Sequence, residues 1–332
     1  MKILAGDIGG TKTLLQVVKV EGTAIDVLLE HRFDSHAFDS FDTLLQQFLD
    51  MAREQQHDLD AACIGIAGPV NGAEARVTNL PWVMNAMQLQ QQSGIPHISF
   101  INDFQAVGYG IEALQDSDLA TLQAGEPLAQ SVRCVIGAGT GLGEGMLIWQ
   151  GNHYEAYASE GGHVGFAPTD DVELELLRYM RNRFDVVSYE RLVSGPGLSN
   201  IFDFVCHHWK ASVSDTLQQA LQHGDKSAAI AQAALSHSDD QAQRALEIFI
   251  SIYGAQAGNL ALTTMARDGV YIAGGIAPKI LPALQQGDFM TAFTKKGKMQ
   301  NLMAGFPVKV ITNAHVGIMG AALVASRSAL VQ

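Results

Sequence analysis

Apolar and polar positions alternate along this chain in two rhythms, one of period two and one of period 3.6. Residues 2–5 form a short apolar run that enters the turn Gly6-Asp7-Ile8-Gly9-Gly10-Thr11, and residues 13–19 read as a second strand. Strand, glycine turn and strand predict a hairpin rather than a strand feeding a helix. Phe41, Leu44, Leu45, Phe48, Leu49 and Ala52 recur at i, i+3, i+4 and i+7, which predicts an amphipathic helix over about 40–55. Two continuous apolar runs follow, 61–67 ending in Gly68-Pro69 and 97–101 ending in Asn102-Asp103. Both have the pattern of buried strands. A helical stretch to about 114 closes a first α/β unit.

A second unit starts in the same way. Residues 132–136 read as a strand, Gly137-Ala138-Gly139-Thr140-Gly141-Leu142-Gly143 makes a turn, and 145–149 returns as a strand. The glycine-tipped hairpin thus occurs twice, at about 6–19 and 132–149, and predicts two related halves, each an α/β domain with a mixed sheet. Residues 171–267 are rich in helical periodicity, with a long apolar pattern over 241–265. Asp239-Asp240 stands at its start, where the helix dipole favours acids. A late strand, 269–273, reaches Gly274-Gly275-Ile276-Ala277-Pro278, which predicts a turn and then a helix with proline near its first turn. A final helix is expected over about 316–327.

Composition narrows the class. The 332 residues are 47% hydrophobic and 17% charged, ordinary for a globular chain with room for about two domains. Lys and Arg number 21 against 34 Asp and Glu, a formal charge of −13. That balance argues against nucleic acid or an anionic membrane as partner, since both need clustered cations. No apolar run is long enough to span a bilayer, and Asp7 interrupts any signal-like core near the start. The three cysteines, at 63, 134 and 206, are too far apart for a metal knuckle or a disulfide framework. They read as small core residues of a chain in a reducing cytoplasm.

Glycine is the outlier, at 33 residues, many in clusters. Such loops expose backbone N–H groups and let a phosphate approach closely. The P-loop pattern has no match. The dinucleotide fingerprint fails as well, because its sixth position falls on Leu142 counted from Gly137 and on Glu144 counted from Gly139. Two glycine hairpins would instead clamp a polyphosphate. Asp7 in the first would be repelled by phosphate unless a hard cation intervened, and Mg²⁺, bound through retained waters, meets that need. Gly274-Gly275 is a third loop, which either leaves a flat surface for a nucleoside or serves as a simple strand-to-helix turn.

Taken in order, several segments resemble the bacterial ATP-dependent glucokinases. They are Gly6-Asp7-Ile8-Gly9-Gly10-Thr11, Ile101-Asn102-Asp103-Phe104, the 137–143 turn, Glu160-Gly161-Gly162-His163-Val164, Glu190-Arg191-Leu192-Val193-Ser194-Gly195-Pro196-Gly197-Leu198 and Ile272-Ala273-Gly274-Gly275-Ile276. The resemblance runs from the first strand to the last helix. It implies a two-domain actin-like ATPase (ribonuclease H-like) α/β fold with mixed sheets and an interdomain cleft. Residues 1–110 and 313–332 would form a small domain and 111–312 a large one with helical insertions. It implies that Asp103 is the catalytic base facing O6 of D-glucose. Thr78, Asn79, Asn102, Glu160, His163 and Glu190 would hold the sugar. Asp7, Gly9, Gly10, Thr11, Lys12, Gly139, Thr140, Gly141, Gly274 and Gly275 would handle ATP, with Mg²⁺ held by Asp7 through water. A homodimer is also implied. Many relatives carry Asn then Arg where this chain has Lys12-Thr13-Leu14, and many carry Asp where it has Gly165.

These residue types suit a sugar. A hydroxyl-covered substrate is best held by carboxylates, whose charge-assisted hydrogen bonds are about twice as strong as neutral ones. A kinase for another hexose, or a non-kinase ATPase of the same fold, remains an alternative; the latter would have no use for the sugar-binding set. A repressor would need a DNA-binding helix pair ahead of the strand that begins at residue 2. No G-x-S-x-G or H-E-x-x-H pattern supports hydrolase or metalloprotease chemistry.

Overall fold

The computed structural model describes residues 1–330. The chain divides into two compact units: Met1–Asp118 with Gln150–Ala158 and Asn313–Gln332, and Leu119–Trp149 with Ser159–Thr312.

In the first unit, strand Lys2–Ile8 pairs antiparallel with Lys12–Glu21 on one side and parallel with Ala61–Ile66 on the other. Ile98–Asn102 continues the parallel side and Ala24–Asp34 forms the opposite edge. The pleat sends alternate side chains to opposite faces. Leu4, Ile8, Leu15 and Val17 pack with Phe41, Leu44 and Phe48 of the predicted helix, which spans Phe41–Glu54 and is capped by Ser40. Ile3, Ala5, Val18 and Cys63 pack on the other face with Ile318, Ala321 and Ala325 of the last helix, Val316–Leu330.

The second unit repeats this core. Arg133–Ala138 pairs antiparallel with Leu142–Trp149 and parallel with Val270–Ala273, which is followed by Val308–Ile311. Leu119–Gln123 runs antiparallel at the edge beyond. The long helix Asp240–Thr264 lies in this unit's core, and Asp239 caps it by accepting from the Gln241 and Ala242 amides, each at 2.9 Å. Tyr253 of this helix is fully buried; its hydroxyl accepts from Ala138 N at 3.2 Å and donates to Ile136 O at 3.3 Å. Cys63 and Cys134 are buried and Cys206 is partly so, all as free thiols.

The structure departs from the sequence-based expectation in several places. Residues 111–118 and 150–158, read as part of the large domain, lie with the first unit. Glu112 there accepts from Arg327 at 2.8 Å and Glu155 from the Tyr109 hydroxyl at 2.5 Å. The turn after this strand runs through residues 274–280, and the helix that follows is Leu281–Leu284, with Pro282 rather than Pro278 in its first turn. Gly274, at the start of this turn, has φ +82°, a left-handed conformation that suits glycine, and an added Cβ would overlap Ala138 O. The strand Ala24–Asp34 is mostly exposed and the sheet Val70–Asn71, Glu74–Arg76 and Val83–Asn85 is very short, so neither has a clear period-two signal. Among the described residues no helix is long and apolar enough to cross a membrane.

Tyr253→Phe should lower unfolding stability by about 1–3 kcal/mol, because the Ala138 N–H loses its buried acceptor. Urea denaturation of the two proteins measures this; equal stability would mean that the hydroxyl contributes nothing there.

Candidate functional site

In the first unit the tip Gly9-Gly10-Thr11 joins the two hairpin strands, closed by Gly9 N donating to Lys12 O at 2.9 Å. Thr11 and Lys12 are exposed. Asp7, one turn below, is opposite Leu14 and Gly65 in the sheet. Thr78 and Asn79 are exposed in the turn between two short strands, whose flanking Leu80 and Trp82 are buried anchors. The Asn79 side chain lies against Gly10.

Asn102 and Asp103 stand where strand Ile98–Asn102 becomes helix Asp103–Gly110. Asn102, not Asp103, is the cap. Its Oδ1 accepts from Phe104 N at 2.9 Å and Gln105 N at 3.4 Å, while Gln105 Oε1 accepts from Asn102 N at 3.3 Å, a complete capping box. The Asp103 carboxylate therefore stays at the surface, accepting from Phe104 N at 2.8 Å. Desolvation by the surrounding protein raises its pKa, opposed by the Phe104 amide and the Asn102 side chain.

Asp7 is shifted further, to about 6. Burial is the main cause, the negative charge of Asp103 adds to it, and Arg32 and His315 oppose it. Two carboxylates whose charges oppose each other fit a nearby dication. Among the described residues no group of three or more His, Cys, Asp or Glu could hold a metal by itself. Asp7 thus suits Mg²⁺ only where water and phosphate supply the other oxygens.

In the second unit the tip Gly139-Thr140-Gly141 is closed by Gly139 N donating to Gly141 O at 2.8 Å. Gly139 O accepts from Gly195 N at 2.8 Å, at the start of helix Gly195–Trp209, and Ala138 O accepts from Ile276 N at 3.2 Å. These bonds gather Gly139, Thr140, Gly195, Gly275 and Ile276 around a cavity of about 440 Å³. Its volume is within the usual range for a small-molecule ligand. Lys226, Ser227 and Lys279 also line it, and sequence reasoning missed all of them. Asp225 caps the helix Lys226–Leu235 and is held below the usual carboxylate range, chiefly by the Ser227 hydroxyl and then the Ala228 amide. The cap pattern Asp225-Lys226-Ser227 was the available signal; nothing local linked it to a glycine tip some 85 residues earlier.

Glu160, His163 and Glu190 meet at the same hairpin. His163 Nε2 is 3.7 Å from Glu160 Oε2, and its Nδ1 is 3.9 Å from Glu190 Oε1. Glu190 Oε2 accepts from Leu142 N at 3.0 Å and lies against Gly141. Glu160 and His163 are exposed.

The sequence-predicted residues therefore form one group in each unit. Asp7, the first tip, Asn79, Asn102 and Asp103 belong to one; the second tip, Gly274, Gly275, Glu160, His163 and Glu190 belong to the other.

The family model described as Glucokinase matches residues 4–328. A glucokinase of Nostoc sp. is 45% identical, with 98% of this chain and 99% of the relative covered. The crystal structure of a glucokinase from an Antarctic psychrotroph superposes with TM-score 0.87 at 27% identity, covering 98% of this chain and 99% of that one. A ROK family glucokinase from Streptomyces griseus, solved with glucose and AMPPNP, shares the fold at TM-score 0.66 and 19% identity, with coverage of 98% and 100%. The fold is thus the mixed-sheet α/β architecture of the actin-like ATPases.

The raised Asp7 pKa has a consequence for stability. Its folded value exceeds the unfolded 3.8, so the carboxyl stabilises most when neutral, and that contribution is lost as pH rises to about 6. In protein free of nucleotide and metal, Asp7→Asn should be more stable than the parent at pH 8 by about 2 kcal/mol, allowing for partial exposure. The gain should vanish below about pH 4. Urea titrations at both pH values measure it, and equal stability at pH 8 would show that burial does not strain this carboxylate.

Proposed function

The chain belongs to the glucokinase family, and we propose that it transfers the terminal phosphoryl group of ATP to O6 of D-glucose. One observation carries this reading. Glu190 accepts a hydrogen bond from the backbone N–H of Leu142, the first residue after the glycine tip, and its other oxygen faces His163 beside Glu160. A hydroxyl-binding cluster is thus built onto a loop whose bare backbone suits phosphate. A nucleotide switch would need only the loop.

In this reading Glu160, His163 and Glu190 accept and orient sugar hydroxyls. Asn79, Asn102 and Thr78 of the first unit add donors and acceptors. Asn102 has already spent its Oδ1 on the helix cap, so its Nδ2 is the group left for ligand or for Asp103. The capping box matters because it leaves Asp103 free of capping duty and fixed at a helix start. Asp103 receives the O6 proton as the oxygen attacks the γ-phosphorus. Its raised pKa makes it a better base than an ordinary carboxylate, and in a loose transition state the proton leaves late.

The nucleoside occupies the cavity lined by Pro196, Ser227, Gly275 and Ile276, with Lys226 and Lys279 as neighbouring cations. Backbone amides of Gly9, Gly10, Thr11, Gly139, Thr140 and Gly141 receive the phosphates, with Lys12 near the first tip and Gly274 holding the turn at Ala138. Asp7 would hold Mg²⁺ through water, and the ion when bound neutralises phosphate charge. Two copies of the chain would assemble as a dimer.

Asp103→Asn should leave the glucose KM within a few-fold of the parent and cut kcat by at least about a hundredfold, the lower end for a positioned base. Glu190→Gln should raise the glucose KM far more than the ATP KM. Coupled ADP-release assays across a panel of hexoses, with a no-sugar control, read both. Parent-like turnover by Asp103→Asn would remove Asp103 from the role of base.

A further inference from the structure

Behind the sugar-binding cluster the second unit buries a column of polar side chains that nothing in phosphoryl transfer itself requires. Glu144, on strand Leu142–Trp149, is 3% exposed, an uncommon place for a carboxylate. Its Oε1 accepts from Gln256 Nε2 at 2.8 Å. Gln256 Oε1 accepts from Asn259 Nδ2 at 3.1 Å, one turn along the same helix. Asn259 Oδ1 accepts from Lys296 Nζ at 2.7 Å, and Lys296 also donates to Ala255 O at 2.8 Å. Asn259 Nδ2 donates as well to the Tyr189 hydroxyl at 3.2 Å.

The near end of this column lies directly under the residues assigned to the sugar. Gly161 sits on Glu144 so closely that an added Cβ would overlap Oε2, and one on Gly162 would overlap Leu142 O. The turn carrying Glu160 and His163 therefore rests on the strand, with the Glu144 carboxylate as part of its floor. The branch through Asn259 holds Tyr189, the immediate neighbour of Glu190. Tyr189 N donates to Val164 O at 3.1 Å, which joins the two loops. The Tyr189 ring meets Phe166 edge-on, with centroids 5.5 Å apart.

We infer that Glu144, Gln256, Asn259 and Lys296 are positioning residues that set the heights of Glu160, His163 and Glu190 together, and so set glucose affinity. This rests on the functional reading above and extends it to residues that touch no substrate. A buried carboxylate held by amides and anchored at a distant ammonium is stiff, because every member loses a hydrogen bond if one moves. Stiffness is what a site built on several hydrogen bonds to one sugar needs. The nucleotide cavity shares none of these four side chains, so the column should act on one substrate and not the other.

The test uses the full-length protein and Michaelis constants for glucose and ATP. Glu144→Leu removes the acceptor at the near end and Lys296→Met removes the donor at the far end. Each should raise the glucose KM by about tenfold, the equivalent of one lost hydrogen bond, with the ATP KM within about twofold. Glu144→Gln keeps shape and an acceptor for Gln256, and should return the glucose KM to within about threefold of the parent. A parent-like glucose KM in Lys296→Met overturns the inference, as does a rise of both KM values in step. Lys296→Met, on the rim of the unit rather than in its sheet, decides the matter if Glu144→Leu does not fold. Failure of the functional reading would look different: the parent itself would show no glucose-dependent ADP release.

Discussion

The hydrogen bond from Leu142 N to Glu190 Oε2 is the contact on which the second unit's site depends. Leu142 is the first residue after a tip made of Gly139, Thr140 and Gly141, and its position is fixed by pairing with Ala138. Binding a carboxylate at that amide ties a loop from residue 190 to the end of the hairpin. His163 then sits between two acids, and the glycines at 161 and 162 let its turn press onto the strand. One strand end thus defines both where backbone amides point and where Glu160, His163 and Glu190 stand. Side chains on these glycines would push the two apart.

The first unit handles the opposite problem, which is holding acids close together. Burial and the Asp103 charge raise the cost of ionising Asp7, and Arg32 and His315 offset only part of it. The capping box at Asn102 and Gln105 matters here because it takes over the task that a helix start would otherwise give to Asp103. The carboxylate stays exposed, although its Oδ1 also accepts from the Phe104 amide. Its environment favours the arrival of positive charge or of a proton, and those are what a metal-bound nucleotide and an attacking hydroxyl bring.

Much of this was legible from residues alone. The two hairpins, the helix at 41–54, the buried strands at 61–66 and 98–102 and the long helix after Asp239 all carry strong periodic or capping signals. The exposed edge strand Ala24–Asp34 carries none, since a strand with solvent on most positions has no alternation to read. Arg32 lies on it, so a charge that acts on Asp7 was missed along with the strand. The turn after the late strand is followed by a short helix, but its first-turn proline is Pro282, and Pro278 lies within the turn.

The sequence by itself determined the class of fold, the glycine tips and the acids and amides that could bind a sugar, because these follow from local pattern and from the order of motifs. Only the tertiary structure decided which of them meet. Lys226 and Lys279 at the cavity beside the second glycine tip, and the buried run from Glu144 to Lys296, come together across gaps of tens to more than a hundred residues. No local rule encodes such encounters. They follow from packing helix Asp240–Thr264 against the sheet, where a buried carboxylate is tolerable only if distant donors arrive to satisfy it.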